Sequence, residues 1–109
     1  MGNTIKSKDE LNEAMNSMAV AVYFHSQDCS VCTSLLPQVE YLLNANFPRV
    51  TLYVINANES KELCASLTVF TFPTLLIYFE GKESLRLARN INLAALKKTL
   101  ERPYQLLFS

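Results

Sequence analysis

A chain of 109 residues, half of them hydrophobic, has room for one core and reads as a single domain over residues 1–109. Ten basic and ten acidic residues cancel without clustering, which excludes a nucleic-acid groove or a polybasic membrane patch. The longest apolar runs, Met18 to Phe24 and Phe72 to Phe79, fall short of the roughly 20 residues that span a bilayer, and the polar start Gly2 to Lys8 has no signal-peptide core. No membrane partner is expected, and the expected location is cytoplasmic. Three cysteines are too few, and of the wrong parity, for a disulfide framework, so a close pair means redox chemistry or metal before it means a staple.

In chain order, Ile5 marks a short edge strand. Ser7 and Glu10 form a capping-box pattern ahead of Leu11, Ala14, Met15 and Met18 at helical spacing, which predicts a first helix from about Lys8 to Ser17. Ala19 to Phe24, apolar at nearly every position and β-branched, predicts a central strand covered on both faces. A second helix runs from about Cys29 to Ala45, with Leu35, Leu36, Val39, Leu42 and Leu43 on its apolar side and Pro37 kinking it without ending it. Val50 to Ile55 predicts another parallel strand. Asn58-Glu59-Ser60 offers caps for a short third helix through Lys61, Leu63, Cys64 and Leu67. Thr74 to Phe79, the Glu80-Gly81-Lys82 turn and Glu83 to Leu87 predict a β-hairpin. Asn92 caps a closing helix from Leu93 to about Glu101 with Leu93, Leu96, Thr99 and Leu100 on one face, and Pro103 stops it. The tail Tyr104 to Phe108 is apolar enough to fold back on the body or meet a partner.

The chemistry concentrates at Cys29-Ser30-Val31-Cys32, where the first central strand passes through a loop into the second helix. Thiols three positions apart at a helix start meet across one turn and can close a small disulfide ring. The first thiol also sits where unpaired backbone N–H groups and the helix dipole stabilise a thiolate. His25 reads either as a proton holder beside Cys29 or as an ordinary polar loop residue. Cys29, Cys32, His25 and Asp28 are ligand types that zinc accepts, yet they crowd into one segment with no second pair elsewhere, so no metal is expected. Cys64 reads as a small apolar packing residue, with a regulatory thiol as the other reading. Tyr23 and Tyr53 read as core or strand-edge aromatics.

The order β-α-β-α-β-β-α, with the C-x-x-C after the first central strand, Pro37 five positions beyond Cys32, Phe72-Pro73-Thr74 opening the third strand and the Gly81 hairpin, resembles the thioredoxin family over essentially the whole chain. The resemblance implies an α/β thioredoxin fold, a central mixed sheet of four to five strands flanked by helices on both faces. It also implies a cis bond before Pro73, with the Phe72 backbone pairing to an extended substrate segment and Pro73 shaping the floor beside the sulfurs. By the same resemblance Cys29 is the nucleophile and Cys32 resolves the mixed disulfide. The partners are protein disulfides, with a reductase or a low-molecular-weight thiol as electron donor. No cofactor is expected.

Several positions depart from the family's pattern. Asp28 stands where a tryptophan usually precedes the first cysteine, and Ser30-Val31 replaces Gly-Pro. A carboxylate beside Cys29 opposes thiolate formation while the helix start favours it by ~0.3–1 kcal/mol, and Ser30 can donate to a thiolate, so Asp28, Ser30 and His25 are read as modulators. The buried acid that assists the resolving cysteine falls at Tyr23, and its lysine partner at Val54. The glycine before the cis proline falls at Phe70 or Thr71 and the later groove glycine near Arg89, which implies a bulkier, more basic groove. The reading is a thiol–disulfide oxidoreductase acting on protein disulfides. The alternative is a thioredoxin-fold binding or redox-sensing module with little reductase activity.

Overall fold

A computed structural model of the chain describes residues 3–109. The elements in order are β1 (Asn3–Thr4), α1 (Lys8–Ala14), β2 (Ala19–His25), α2 (Ser30–Asn46), β3 (Thr51–Asn56), α3 (Lys61–Ser66), β4 (Thr74–Phe79), β5 (Lys82–Ala88) and α4 (Leu93–Leu107). They form a five-stranded sheet in the order β1-β3-β2-β4-β5. β3 lies parallel to β1 and β2, and β4 lies antiparallel to β2 and β5. The sheet is therefore mixed, with the strand that leads to Cys29 at its centre.

The pleat divides β2 between two cores. Ala19, Ala21 and Tyr23 face Cys32, Leu35, Val39 and Leu43 of α2 and Leu96 and Leu100 of α4. Val20, Val22 and Phe24 face Leu11 and Ala14 of α1 and Leu63 and Cys64 of α3. Every residue from Ala19 to Phe24 is buried, as a strand covered on both sides must be. Two helices on each face hold the β2–α2 junction between rigid layers.

Three local expectations change. α1 ends at Ala14, and tight bonds from Asn16 N–H to the Glu13 carbonyl and from Ser17 N–H to the Ala14 carbonyl wind the chain into a turn, leaving Met18 exposed. The side chain of Ser60 does not cap α3; its hydroxyl donates instead to the Lys6 carbonyl (3.3 Å), tying the α3 start to the segment before α1. Pro103 does not stop the closing helix, which runs through it to Leu107.

The reason lies in the turn that follows Pro103. A proline in a helix interior costs about 3 kcal/mol, but continuing the helix brings half-buried Tyr104, Leu107 and Phe108 onto the body. The Tyr104 ring meets Phe47 edge-on at 5.1 Å and Phe108 at 4.8 Å, and the Arg49 guanidinium lies 4.5 Å over Phe108. Burying a large apolar side chain is worth roughly 1.5–3 kcal/mol when complete. Three partly buried ones outweigh the proline. The tail folds back on its own chain, as its composition suggests.

Candidate active site

The site begins with how β2 is allowed to end. Beyond His25 the chain is pinned to the β3–α3 connection: the His25 carbonyl accepts from Ala57 N–H (2.8 Å), and Asn58 Oδ1 accepts from Gln27 N–H (2.8 Å). Cys29 N–H then donates to the Ser26 carbonyl, closing the turn that delivers Cys29 to the N-cap of α2. Its extended backbone and its sulfur take up the cap role, with Sγ accepting from Cys32 N–H at 3.2 Å.

Cys29 and Cys32 are joined by a disulfide, their Cα atoms 5.4 Å apart. Cys29 is half-buried and borders an open groove of ≈ 460 Å³, whereas Cys32, one turn in, is 2% exposed. One sulfur meets the surface and the other lies beneath it. One wall of the groove is Ser26, Asp28, Cys29, Ser30 and Val31; the other is Phe72, Pro73, Arg89 and Asn90.

The second wall is built across the sheet. The Phe72–Pro73 peptide bond is cis, and Thr74 Oγ1 donates to the Thr71 carbonyl (2.7 Å), fixing the turn before β4. The Pro73 carbonyl accepts from Arg89 N–H (2.8 Å), which draws the chain after β5 to the groove. Among the described residues, neither the amide nor the carbonyl of Phe72 has a hydrogen-bond partner.

The groove gathers Cys29, Phe72, Pro73, Asp28 and Ser30, with Cys32 directly behind. His25 is elsewhere. It is half-buried at the end of β2, in register with Asn56, and lines no part of the groove. The reading of Tyr23 as a core aromatic describes its ring and misses its hydroxyl, which donates to the Cys32 carbonyl at 2.8 Å. Burial pushes that hydroxyl up to about 12, so it stays protonated and acts as a donor throughout the neutral range. A tyrosine within the apolar run Ala19 to Phe24 is the signal that could have found it, because a buried phenol needs a partner. Cys64 is buried on α3, on the opposite face of the sheet, and its burial raises its thiol. No group of three or more His, Cys, Asp or Glu among the described residues is placed to hold a metal ion.

A solvent-facing sulfur at a helix start, a buried partner sulfur and a cis proline opposite them define a thiol–disulfide exchange site. A family model described as Thioredoxin matches residues 3–102. The chain is 38% identical over 85 residues to the thioredoxin-like protein YdfQ of Bacillus subtilis (strain 168), covering 78% of this chain and 75% of that one. It is 32% identical over 82 residues to a thioredoxin of Chlamydia pneumoniae, covering 75% and 79%. Thioredoxin from Trypanosoma brucei brucei shares the fold at a TM-score of 0.84, with 19% identity over 96% of this chain and 92% of that one. The chain belongs to the thioredoxin family, and its Cys29–Cys32 pair is consistent with a thiol–disulfide oxidoreductase. No helix among the described residues is long and apolar enough to cross a membrane.

Proposed function

We propose that the chain reduces protein disulfides through a mixed-disulfide intermediate, with Cys29 as nucleophile and Cys32 as resolving thiol. The observation that carries this is the asymmetry of the pair: Cys29 borders the groove and Cys32 lies buried one turn behind it. In the reduced protein the helix start stabilises the Cys29 thiolate. It attacks one sulfur of a substrate disulfide, the S–S bond breaks, and the other substrate sulfur leaves as a thiolate. Cys32 Sγ then attacks Cys29 Sγ, its proton passing to the departing thiolate. The Cys29–Cys32 disulfide forms and the second substrate sulfur is released. Two electrons have moved from the protein to the substrate, and a dithiol reductase or a low-molecular-weight thiol returns them.

The free main-chain groups of Phe72 support an extended substrate segment pairing there, with Pro73 bounding the sulfurs below it. Tyr23 holds the Cys32 carbonyl and so positions the first turn of α2; as a neutral phenol it is a donor, not a base. Asp28 and Ser30 border Cys29 and tune its thiolate. A third, unpaired thiol at Cys64 fits a reducing compartment, and the reading carries a cytoplasmic location.

The test uses Cys32→Ser protein and a protein disulfide such as insulin. A stable mixed disulfide at Cys29 is expected in the variant, catalysed reduction in the wild type, and an equilibrium potential of roughly −270 mV for the pair. No covalent complex and no catalysed reduction would sink the proposal. A second reading draws on the exposure of Val31 and Phe70, 55% and 69%, which gives an apolar rim for holding a partner without exchange. It predicts a partner that stays bound when both cysteines are replaced by serine.

A further inference from the structure

Two opposite charges border the redox groove, and the exchange steps use neither as a reacting group. Asp28 lies on the α2 wall, next to the attacking sulfur, and Arg89 lies on the opposite wall, beside Phe72 and Pro73. Both are exposed, and they form no ion pair with each other or with any other described residue. Arg86, three positions earlier, shows what a committed arginine looks like here. Its guanidinium is held by Glu83 and by the carbonyls of Leu67 and Thr68.

The Arg89 backbone is unusual as well. Its φ is +64°, a left-handed conformation that favours glycine, and Asn90 N–H closes a tight turn around it by donating to the Ala88 carbonyl (2.8 Å). With Arg89 N–H fastened to the Pro73 carbonyl, the base of this side chain is anchored to the wall along which an extended substrate would lie. The side chain rises from a fixed point. An extended segment advances about 3.3 Å per residue, so a substrate paired at Phe72 passes its neighbouring residues within reach of a long arginine.

We infer that Arg89 is a specificity-determining residue, selecting disulfide substrates that carry a carboxylate within two residues of the attacked half-cystine. The inference rests on the exchange reading above. Asp28, across the groove, works against the same carboxylate and favours a base on its own side, so the groove reads the order of charges along the substrate. An exposed charge pair changes affinity by a factor of about 1.5 to 5. That is the scale of discrimination expected from each charge.

The test uses reduced full-length protein and peptides of one sequence carrying a single cysteine as its mixed disulfide with 5-thio-2-nitrobenzoate. Glu, Gln or Lys is placed in turn at each of the two positions on either side of the cysteine. The coloured thiol leaves when Cys29 attacks the peptide sulfur, giving a second-order rate constant for each peptide. At one position or more the Glu peptide is expected to react about tenfold faster than the Lys peptide at low salt. The ratio shrinks toward one at ~1 M salt, where the screening length is about 3 Å. Within each variant the Glu-to-Lys ratio is read: Arg89→Lys keeps it, Arg89→Gln collapses it, and Arg89→Glu inverts it. Equal rates for Glu and Lys at every position overturn the inference, as does a ratio that survives in Arg89→Gln. No release from any peptide instead overturns the exchange reading beneath it.

Discussion

Cys32 and Cys64 are almost equally removed from solvent, 2% and 4% exposed, and they lie on opposite faces of one sheet. Cys32 sits in the first turn of α2, bonded to a sulfur that reaches a groove, its carbonyl held by Tyr23. Cys64 sits inside α3, packed in the core against α1 and the sheet, its thiol raised by burial and its sulfur unpaired. Depth does not distinguish them. What separates a redox thiol from a packing thiol here is the sulfur within reach and the groove onto which that sulfur opens, since both cysteines lie in the first turn of their helices. The α2–α4 face is thus a core with a chemical outlet, and the α1–α3 face is a core alone.

The largest effect that can sharpen this contrast comes from the cysteines. Cys29→Ser is expected to lower the rate of disulfide exchange by at least ~10³-fold, whereas Cys64→Ala changes it less than about twofold and costs about 1 kcal/mol of stability. Stopped-flow exchange and urea unfolding measure the two quantities. A large loss of exchange in Cys64→Ala would break the contrast, giving the buried thiol a part in the chemistry.

Core truncation asks whether the faces are equal as cores. Ile77 and Leu76 are adjacent in β4 and both fully buried, one on each face. Replacing either by alanine is expected to cost about 2–5 kcal/mol, read from denaturant midpoints at constant slope. Costs far outside that range on one side would mean that the layers do not share the load.

A smaller effect isolates a polar tip in the site-side core, the Tyr23 hydroxyl. Tyr23→Phe keeps the ring and removes the donor to the Cys32 carbonyl, for an expected loss of about 1 kcal/mol near neutral pH. The phenol is raised from 10.0 to about 12 in the fold, so its contribution is complete below pH 10 and is lost as pH rises through about 12. Stability of the wild type should therefore fall more steeply than that of Tyr23→Phe over this alkaline window, in paired unfolding curves. Parallel curves would mean that the hydroxyl is not buried as described.

The central strands were legible because burial on both faces leaves a continuous apolar run, and β2 and β4 begin at Ala19 and Thr74, where the strands were expected. The Cys29-to-Cys32 spacing announced its own chemistry, since a helix start is a local feature. What stayed hidden depends on residues distant in the chain. Pro103 looks like a stop until Tyr104 is placed against Phe47, and Ser60 looks like a cap until Lys6 offers its carbonyl a closer use. The Tyr23 hydroxyl required the register of β2 under α2, which no pattern of apolar residues contains. His25 could be placed after a strand but not turned away from the groove without knowing that Ala57 and Asn58 pin the loop.

The two rims of the sheet bear on how the molecule behaves in a crowd. Among the described residues, β1 offers an outer edge two residues long. β5 is longer, but Lys82, Glu83, Ser84 and Arg86 crowd its exposed length, and a bulge between Ile77 and Tyr78 of its neighbour offsets its register. Short, charged and irregular margins are poor templates for another chain's backbone. Such edges disfavour zipping into fibrils or ribbons at high concentration, whereas the unpaired main chain of the Phe72 bend lies in the groove itself.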